Sequence, residues 1–380
     1  MLLLTIGDFA RATGLSARSL RRYDELGVLP PARVDPYSGY RYYAEEQVER
    51  ARLVGWLRRI GMPLAEVRRV CARFETDAAG AARAVRAYWA GVESETAARR
   101  DLASSLVDRM RGTTTMTTTS CVLDAAVLLD RGLVRPSQQD AAHAGPLLLA
   151  VADGYGPEGA RAAGAAVAAL GAVPAALRPG DVLNALEDGL RGANDAVAGL
   201  PESGTTLTAV LLAGTRLALA HVGDSRAYLL RDGALVRLTR DHTVVQALVD
   251  AGELDPAEVP DRPDRALLLK ALDGGDVPPE PELGVREVRP GDRLLLCTDG
   301  LSAVVPAEEL RLALASGGAP EATARALVAL ARDRGGPDNL ACVVADVVPG
   351  PRDRRRLSPG PGPGPGPGPV PGVGPDADAV

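Results

Sequence analysis

Three short apolar runs in this chain each end at an aspartate beside a glycine. The first is Leu147-Leu-Leu-Ala-Val-Ala-Asp153-Gly154, and the second is Arg293-Leu-Leu-Leu-Cys-Thr-Asp299-Gly300. The third, Leu219-Ala-His-Val-Gly-Asp224, has the glycine first and precedes a second apolar run with the hairpin signal Asp232-Gly233. One such run is typical of an ordinary turn. Because the pattern occurs three times, it predicts several strands that deliver carboxylates to one place.

Two further aspartates, Asp140 and Asp338, complete this predicted acidic cluster. Five carboxylates close together repel one another, and hard divalent cations are the usual counter-charge. Oxygen donors of this kind suit Mg²⁺ or Mn²⁺ and disfavour zinc. Two such ions about 3.5–4 Å apart can activate a bridging water and neutralise phosphate oxygens. The cluster therefore predicts a two-metal site for phosphate chemistry.

The cysteines and histidines indicate no competing chemistry. The four cysteines are scattered without paired spacing, which argues against disulfides or zinc and fits a reducing cytoplasm. His143, His221 and His242 stand in no Ser-His-Asp or Cys-His arrangement, and we expect His221 to be packed in a strand. No apolar run approaches the ~18 residues of a membrane-spanning helix, and Met1-Leu-Leu-Leu is too short for a signal peptide. We expect a soluble, cytoplasmic protein.

Length and charge divide the chain into a basic head and an acidic body. With 380 residues, the chain is long enough for two folded units and linkers. The net charge is −6, yet residues 1–73 hold thirteen arginines against eight acidic residues, a net of +5. The remainder therefore sums to −11. This asymmetry predicts a polyanionic partner for the head alone.

The basic head begins with two short predicted helices separated by a turn at residues 14–16. Ser16 is the expected N-cap of the second helix. Arg18, Arg21 and Arg22 of that helix are expected to point outward. A short helix with outward guanidinium groups after a helix and a turn is typical of a recognition helix in the major groove. On charge alone, the alternative is that these arginines form a basic helix face that contacts only solvent.

Residues 32–43 predict two strands around a Pro-Tyr-Ser-Gly turn, rich in tyrosine and arginine that suit phosphate contacts. The head, about residues 2–72, resembles the winged helix-turn-helix domain of the MerR family of transcriptional regulators. The matching segments are Thr5-Ile-Gly-Asp-Phe-Ala, Thr13-Gly-Leu-Ser-Ala-Arg-Ser-Leu-Arg-Arg-Tyr-Asp-Glu-Leu-Gly-Val-Leu-Pro-Pro, Ser38-Gly-Tyr-Arg-Tyr-Tyr and Leu57-Arg-Arg-Ile-Gly-Met-Pro-Leu. The resemblance implies binding of double-stranded promoter DNA through Arg18, Arg21, Tyr23, Tyr37, Arg41 and Tyr42.

Helical segments follow the predicted wing; one opens at Gly61-Met-Pro-Leu-Ala-Glu-Val, and two others have a clear apolar pattern. The apolar side of the first is predicted to hold Val48, Leu53, Trp56, Leu57 and Ile60. The second, residues 77–111, has apolar residues at three- or four-residue spacing and predicts one long amphipathic helix. In the MerR family the corresponding helix pairs with its own copy, so the resemblance implies a homodimer through residues 77–111. A helix packed on its own domain is the alternative.

The acidic body alternates short strands and Gly/Asp turns with alanine-rich helical patches, which predicts an α/β sandwich. Over about residues 121–347 it resembles the metal-dependent type 2C (PPM) family of serine/threonine protein phosphatases. Besides the aspartate motifs, the matching segments are Ser203-Gly-Thr-Thr-Leu-Thr-Ala209 and, for the family's flap, residues 238–253. The resemblance implies an α+β fold, a β-sandwich with α-β-β-α layers. It also implies hydrolysis of phosphate monoesters on phosphorylated proteins by a metal-activated water.

The same resemblance assigns the metal ligands. Asp153 would bridge two Mn²⁺ or Mg²⁺ ions, and the backbone carbonyl of Gly154 would bind one of them. Asp299 and Asp338 would complete the pair of sites. Asp224 would serve a third, more weakly held ion. These assignments come from the positions of the motifs within the family pattern.

The substrate-facing residues follow from the same resemblance, with some departures. Arg135 would hold the substrate phosphate, which a guanidinium fork does well, and Asp140 would act in catalysis beside the bridging aspartate. The family usually has Asn-Glu-Asp where this chain has Gln-Gln139-Asp140. Pro157 stands where the family has glycine, and Lys270 stands where arginine is commoner. An amide at residue 139 can still orient a water molecule.

We therefore predict a multidomain chain with an all-α, winged helix-turn-helix head. The predicted units are a DNA-binding domain over 1–76, a dimerisation helix over 77–112, a threonine-rich linker over 113–120, a phosphatase domain over 121–348 and a Gly/Pro-rich disordered tail over 349–380. The leading function is a promoter-bound phosphoprotein phosphatase. In one alternative the body binds metal or a phosphorylated ligand without catalysis and controls the head. In another, the head serves only for dimerisation or protein docking.

Overall fold

The computed structural model describes residues 2–111, 121–173, 181–251, 253–255, 258–259 and 262–350. The predicted linker over 113–120 lies outside these described residues, and so does the predicted tail from residue 351 onward. Within the described ranges, no helix combines the length and the hydropathy that crossing a bilayer requires.

The head consists of four helices and a small antiparallel sheet. Its elements are β1 (Leu3–Thr5), α1 (Ile6–Thr13), α2 (Ala17–Glu25), β2 (Arg33–Val34), β3 (Arg41–Ala44), α3 (Gln47–Arg59) and α4 (Leu64–Thr76), and the strand order is β1-β3-β2. Gly14 ends α1 with a left-handed φ of 73°. The Ser16 hydroxyl then accepts a hydrogen bond from the Ser19 N–H at 3.0 Å and caps α2, as predicted. Phe9 stacks on Tyr43 at 4.5 Å between ring centres and joins the helices to the sheet.

The buried side of α3 differs from the prediction. The structure buries Ala51, Val54 and Leu57, whereas Trp56 is 62% exposed and Ile60 lies at the exposed end of the helix. The Arg59 guanidinium covers the Trp56 ring at 4.7 Å, so the aromatic surface is shielded by a cation. The prediction favoured large apolar residues. In the structure, α3 packs closely against its neighbours through a row that includes the small Ala51.

A single long helix, α5 (Ala78–Arg111), follows the head, as predicted. Its first turns pack into the head core through Ala81 and the partly buried Val85 and Tyr88. Its C-terminal half contacts a strand of the body, where the Glu287 N–H donates to the Asp101 carboxylate at 3.2 Å. The helix therefore packs on its own chain at both ends, and its role in a dimer stays a prediction.

The body contains two five-stranded antiparallel sheets. The first has the order β13-β10-β9-β6-β5, with strands β5 (Ala141–Ala144), β6 (Leu148–Ala152), β9 (Leu207–Ala213), β10 (Arg216–Val222) and β13 (Glu282–Glu287). The second has the order β12-β11-β14-β15-β4, with strands β4 (Cys121–Asp130), β11 (Arg226–Arg231), β12 (Ala234–Arg237), β14 (Arg293–Cys297) and β15 (Leu340–Pro349). A short ribbon pairs β7 (Gly154–Tyr155) with β8 (Gly204–Thr205) beside them.

Helices cover the outer face of each sheet. The first sheet carries α6 (Gly159–Ala169), a 3₁₀ turn (Leu170–Ala172) and α7 (Val182–Val197); the second carries α9 (Asp299–Ser302), α10 (Ala307–Ala315) and α11 (Pro320–Asp333). A further helix, α8 (Val244–Ala251), lies in the predicted flap. The apolar residues form one core between the sheets and one under each helical layer. The body is thus the expected α-β-β-α sandwich, and the sheets bring the ends of β6, β10 and β14 together.

Candidate metal centre

The aspartates predicted from the strand-end pattern converge at one end of the sandwich. Asp153 follows β6, Asp224 follows β10, and Asp299 begins α9 directly after β14. Asp153 lies close enough to Asp140, Asp224 and Asp299 for the charges of all three to act on its carboxyl group. Asp140 is buried and the other three are partly open to solvent. The cluster is therefore partly open to solvent.

The carboxylates of this cluster destabilise one another. Loss of hydration, followed by the charges of neighbouring aspartates, raises the pKa of Asp153 well above its usual range. Loss of hydration also raises the pKa of Asp140 and of Asp224 to about 7, and it raises the pKa of Asp299. The Asp140 Oδ1 atom is buried without a hydrogen-bond partner. Crowded oxygen donors with an unpaired buried oxygen fit hard divalent cations, so the residues present suit the predicted metal pair.

The turn after Asp153 requires glycine for steric reasons. A Cβ on Gly154 would lie 2.1 Å from the Gly159 carbonyl oxygen and 2.7 Å from that of Gln139. Thr205 and Thr206 hold the preceding backbone: the Asp153 carbonyl accepts from the Thr206 N–H at 2.9 Å and from the Thr205 hydroxyl at 3.0 Å. The predicted Ser-Gly-Thr-Thr motif therefore positions Asp153 and the Gly154 carbonyl beside it.

Arg135 and Asp338 form an ion pair beside the acidic cluster. The Nε and Nη2 atoms of Arg135 donate to the Asp338 carboxylate, at 2.8 and 2.7 Å. This pairing raises the pKa of Arg135, to which the charges of Asp299 and Asp153 also contribute. The Arg135 side chain is 53% exposed, and its Nε and Nη2 atoms are paired with Asp338.

Asn339 is a positioning residue that the sequence did not indicate. It is buried, and its amide donates to the carbonyl oxygens of Arg131 and Ser137, both at 2.9 Å. Its Oδ1 atom accepts from the Gln139 N–H at 2.8 Å. One side chain thus holds the loop that carries Arg135 against β15. The only available signal was its place directly after an aspartate in a Gly-Gly-Pro-Asp-Asn turn.

Thr298 is a second residue that sequence reasoning missed. Its buried hydroxyl donates to Asp140 Oδ2 at 2.8 Å and accepts from the Ala341 N–H at 2.8 Å. It therefore aims the Asp140 carboxylate, and it lies directly before Asp299 in the chain. A threonine inside an apolar run looks like an ordinary strand residue, so the sequence offered no signal.

Asp224 lies near a partly buried ion pair. The Arg226 guanidinium donates two hydrogen bonds to Asp241, at 2.7 and 3.1 Å, and one to the Ser302 carbonyl at 3.3 Å. Its charge lowers the pKa of Asp224 and of Asp299 and so partly offsets the effect of burial. Arg226 therefore connects the start of the flap to α9 behind the acidic cluster.

The histidines stack instead of forming a reactive centre. His221 and His242 lie 4.8 Å apart between ring centres, and their nitrogens come within 4.8 Å of the Glu282 carboxylate. Both nitrogens of His221 already have partners, the Arg240 carbonyl at 2.9 Å and the Thr208 hydroxyl at 2.8 Å. Burial lowers the pKa of His221 to about 3 and that of His242 to about 4. The pair is neutral and structural, and the expectation that His221 is packed is confirmed.

The raised pKa values predict how metal stabilisation depends on pH. An aspartate whose pKa is about 7 in the folded chain and about 3.9 in the unfolded chain favours folding while it is protonated. This stabilisation is lost as the pH rises from about 3.9 to about 7. Bound Mn²⁺ would offset this destabilisation, because its positive charge takes the place of the protons on the carboxylates. We expect the increase in Tm caused by Mn²⁺, relative to chelator, to grow from about pH 5 to pH 7.5. The lowered pKa values of His221 and His242 make the fold more stable as the pH rises, which is the opposite direction. This effect on the free energy of unfolding is the same with and without metal. A metal effect on Tm that shrinks as the pH rises would contradict the assignment.

Comparisons with known proteins agree with this geometry. Residues 4–73 match the family profile described as MerR HTH family regulatory protein, and residues 135–344 match the one described as Protein phosphatase 2C. The serine/threonine protein phosphatase PstP of Mycobacterium tuberculosis is 46% identical over 242 residues, which cover 61% of this chain and 46% of PstP. A putative protein phosphatase 2C-type of Streptococcus pyogenes is 38% identical over 137 residues, 36% of this chain and 55% of that protein. The chain therefore spans about half the length of these curated relatives.

Solved structures give the same family. A crystal structure of the M. tuberculosis phosphatase PstP is 46% identical, with a TM-score of 0.57, and the match covers 60% of this chain and 99% of that one. The PstP catalytic domain in complex with two manganese ions is 45% identical, with a TM-score of 0.56 over 60% of this chain and 100% of that one. Because the phosphatase profile matches more than half of the residues, behind a MerR-type head, the chain belongs to the protein phosphatase 2C family.

Proposed function

We propose that this chain is a metal-dependent phosphoprotein phosphatase attached to a DNA-binding head. The observation that carries the catalytic part is the crowded group of Asp140, Asp153 and Asp299, whose pKa values are raised by loss of hydration and by the charges of neighbouring aspartates. Arg135 stands beside them with its side chain 53% exposed. A site that combines cation ligands with an accessible anion-binding group suits a phosphate monoester.

Each residue has a distinct proposed role. Asp153, the Gly154 carbonyl, Asp299 and Asp338 would hold two Mn²⁺ or Mg²⁺ ions, and Asp224 would serve a third, weaker one. The bound ions supply an activated water and neutralise the charge on the phosphate. These roles leave no side chain as the nucleophile.

Two residues act on the substrate and on the water. Once Asp338 holds a metal ion, the Arg135 fork that now pairs with it would be free to bind two phosphate oxygens and orient the ester for attack. The free Oδ1 of Asp140 is the proposed acceptor for a hydrogen bond from the attacking water, and Thr298 keeps that carboxylate in place. The relatives named as serine/threonine protein phosphatases support a phosphoserine or phosphothreonine protein as the substrate class.

The test is hydrolysis of a small aryl phosphate by the purified chain in Mn²⁺, with chelator and with Asp153→Asn in parallel. Metal-dependent turnover that the substitution removes supports the phosphatase. If the wild-type chain binds Mn²⁺ but shows no turnover, the non-enzymatic sensor becomes the better account. Gln139 and Pro157, where the chain departs from the family pattern, are the positions that would explain such an outcome.

We propose that the head binds promoter DNA in the cytoplasm as a winged helix-turn-helix. Arg18, Arg21 and Arg22 are exposed on α2, which supports a recognition helix in the major groove. The β2–β3 hairpin would form the wing, where Tyr37 is 99% exposed at the tip. The Asp35 carboxylate accepts from the N–H groups of Tyr37 and Ser38, at 3.0 and 2.8 Å, and shapes that tip.

The remaining proposed DNA contacts differ in exposure. Arg41 is partly buried and donates to Asp24 at 2.7 Å, which aligns the wing with α2. Arg33 lies over the ring of Tyr42 at 5.1 Å, so both residues can face a phosphate backbone together. Tyr23 is only 8% exposed and packs in the head core, so its ring mainly supports α2, and the DNA contact implied there stays a prediction.

We propose that the protein is a homodimer through α5. Trp89, Leu106, Val107 and Met110 are exposed along this helix, and they offer an apolar surface for a second copy. The predicted mass in solution is twice the 39.4 kDa of one chain. Light scattering coupled to gel filtration measures it, and a Trp89→Glu/Met110→Glu variant should lower the mass towards one chain. A wild-type protein that elutes as a monomer at all concentrations would contradict the dimer.

A further inference from the structure

Gln139 holds two parts of the metal centre together. Its backbone N–H donates to Asn339 Oδ1 at 2.8 Å, on the loop that leads into β15. Its side-chain Nε2 donates to the carbonyl oxygen of Gly156 at 2.9 Å, in the turn that follows Asp153. The same residue thus contacts the segments that carry Asp338 on one side and Asp153 with Gly154 on the other.

The turn fits around this side chain because glycines surround it. A Cβ on Gly159 would lie 2.9 Å from Gln139 Nε2, and a Cβ on Gly154 would lie 2.7 Å from the Gln139 carbonyl oxygen. Gly156 has a left-handed φ of 84°, which glycine adopts without strain, and its carbonyl is the one that accepts from the amide. The close packing indicates a built contact between Gln139 and the turn.

The contact depends on an amide and is unavailable to a carboxylate. An amide group has two N–H donors, whereas an ionised carboxylate only accepts hydrogen bonds. A glutamate at this position would present negative oxygens to the Gly156 carbonyl oxygen and repel it. The Gly156 carbonyl also accepts from the Gly159 N–H at 3.2 Å, so it serves as the centre of the turn.

Pro157 fits the same arrangement. It follows Gly156 directly, has no N–H to donate and restricts the backbone of the turn to one φ. The next N–H, that of Glu158, donates to the Ser203 hydroxyl at 2.9 Å. The turn therefore has one hydrogen-bond donor fewer and a stiffer backbone. The Gln139 amide, which lies outside the turn, donates to it. The two unusual residues, Gln139 and Pro157, therefore meet in one structure.

We propose that Gln139 is a positioning residue: its side-chain amide clamps the Gly156 carbonyl and so fixes the oxygens of Asp153 and Gly154 for metal binding. The metal-binding half of this inference rests on the proposed function, while the clamp itself does not. A carboxylate at this position would add a negative charge near a cation site, yet it would lose the clamp. If added negative charge were decisive, Gln139→Glu would tighten Mn²⁺ binding. If the clamp is decisive, the same substitution weakens it.

The experiment compares Gln139→Glu and Gln139→Met in the full chain. Both remove the donor at nearly constant size, and only the first adds a charge. Isothermal titration with Mn²⁺ should show binding weakened about 3- to 10-fold in both variants, as loss of one hydrogen bond predicts. Hydrogen exchange of the metal-free chain should become several-fold faster at the amides of residues 154–159 in both.

The matched control is Gln47→Glu in the head. Gln47 Nε2 also donates to a backbone carbonyl, that of Pro30 at 2.8 Å, so the control loses the same kind of bond far from the metal centre. It should leave Mn²⁺ affinity and the exchange of residues 154–159 unchanged. Tighter Mn²⁺ binding by Gln139→Glu, or unchanged exchange in both variants at residue 139, would overturn the clamp. If the wild-type chain binds no Mn²⁺, the proposed function fails, while the exchange rates still test the clamp independently.

Discussion

Replacing Asp153 with asparagine is expected to lower kcat for an aryl phosphate by about 10³-fold in saturating Mn²⁺. The charges of Asp140, Asp224 and Asp299 all act on the Asp153 carboxyl group, which places it at the centre of the acidic cluster. An amide removes the negative charge that both proposed ions share. Loss of about 4 kcal/mol of metal-assisted stabilisation corresponds to about 10³-fold in rate. Initial rates against substrate and Mn²⁺ concentration measure it.

The same substitution separates catalysis from folding. Asp153 is repelled by its neighbours in the metal-free chain, so an uncharged amide there should raise Tm in chelator while it removes activity. Asp188→Asn is the matched control, because Asp188 is exposed on α7 and lies 3.4 Å from Arg191, away from the cluster. That control should change neither quantity. Activity of Asp153→Asn within tenfold of the wild type would contradict the metal-bridging role.

Affinity of the chain for its own promoter is expected to fall about 10³-fold between about 50 and 200 mM salt. This is the value for a protein that neutralises about six phosphates, which suits two heads with exposed arginines. Arg18→Ala should weaken binding by a further 10-fold or more, as loss of a good base or phosphate contact predicts (about 1–3 kcal/mol). Fluorescence anisotropy with a labelled promoter fragment at several salt concentrations measures both effects.

The control for the head is Arg191→Ala. Arg191 is exposed on α7 and pairs with Asp188 at 3.4 Å, so it carries the same charge on the body. Its loss should leave DNA affinity and the salt slope unchanged. Arg18→Ala should in turn leave phosphatase activity intact. If Arg18→Ala alters neither the affinity nor its salt dependence, the head is a docking or dimerisation module.

Much of the site was predictable because its chemistry lies in local patterns. An apolar run of strand length followed by Asp and Gly specifies a strand, its end and a carboxylate, and this holds at Asp153 and at Asp299. Ser16 was predictable for the same reason, since an N-cap is recognised from its immediate neighbours. The apolar side of α3 was predicted wrongly at Trp56 and Ile60, because periodicity locates an apolar stripe without showing which neighbour covers it.

By itself, the sequence determined the two-part organisation, the carboxylates of the centre and the basic helix of the head, because each depends on residue types at short spacing. Only the tertiary structure decided which residues hold that centre in place. Asn339 holds the 131–139 loop and Thr298 aims Asp140, and both act across more than 150 residues of chain. The amide of Gln139 is the clearest example, because the sequence alone shows only that a glutamine replaces the carboxylate usual in the family. In the fold its donor meets the Gly156 carbonyl, and only their juxtaposition in space gives it a function.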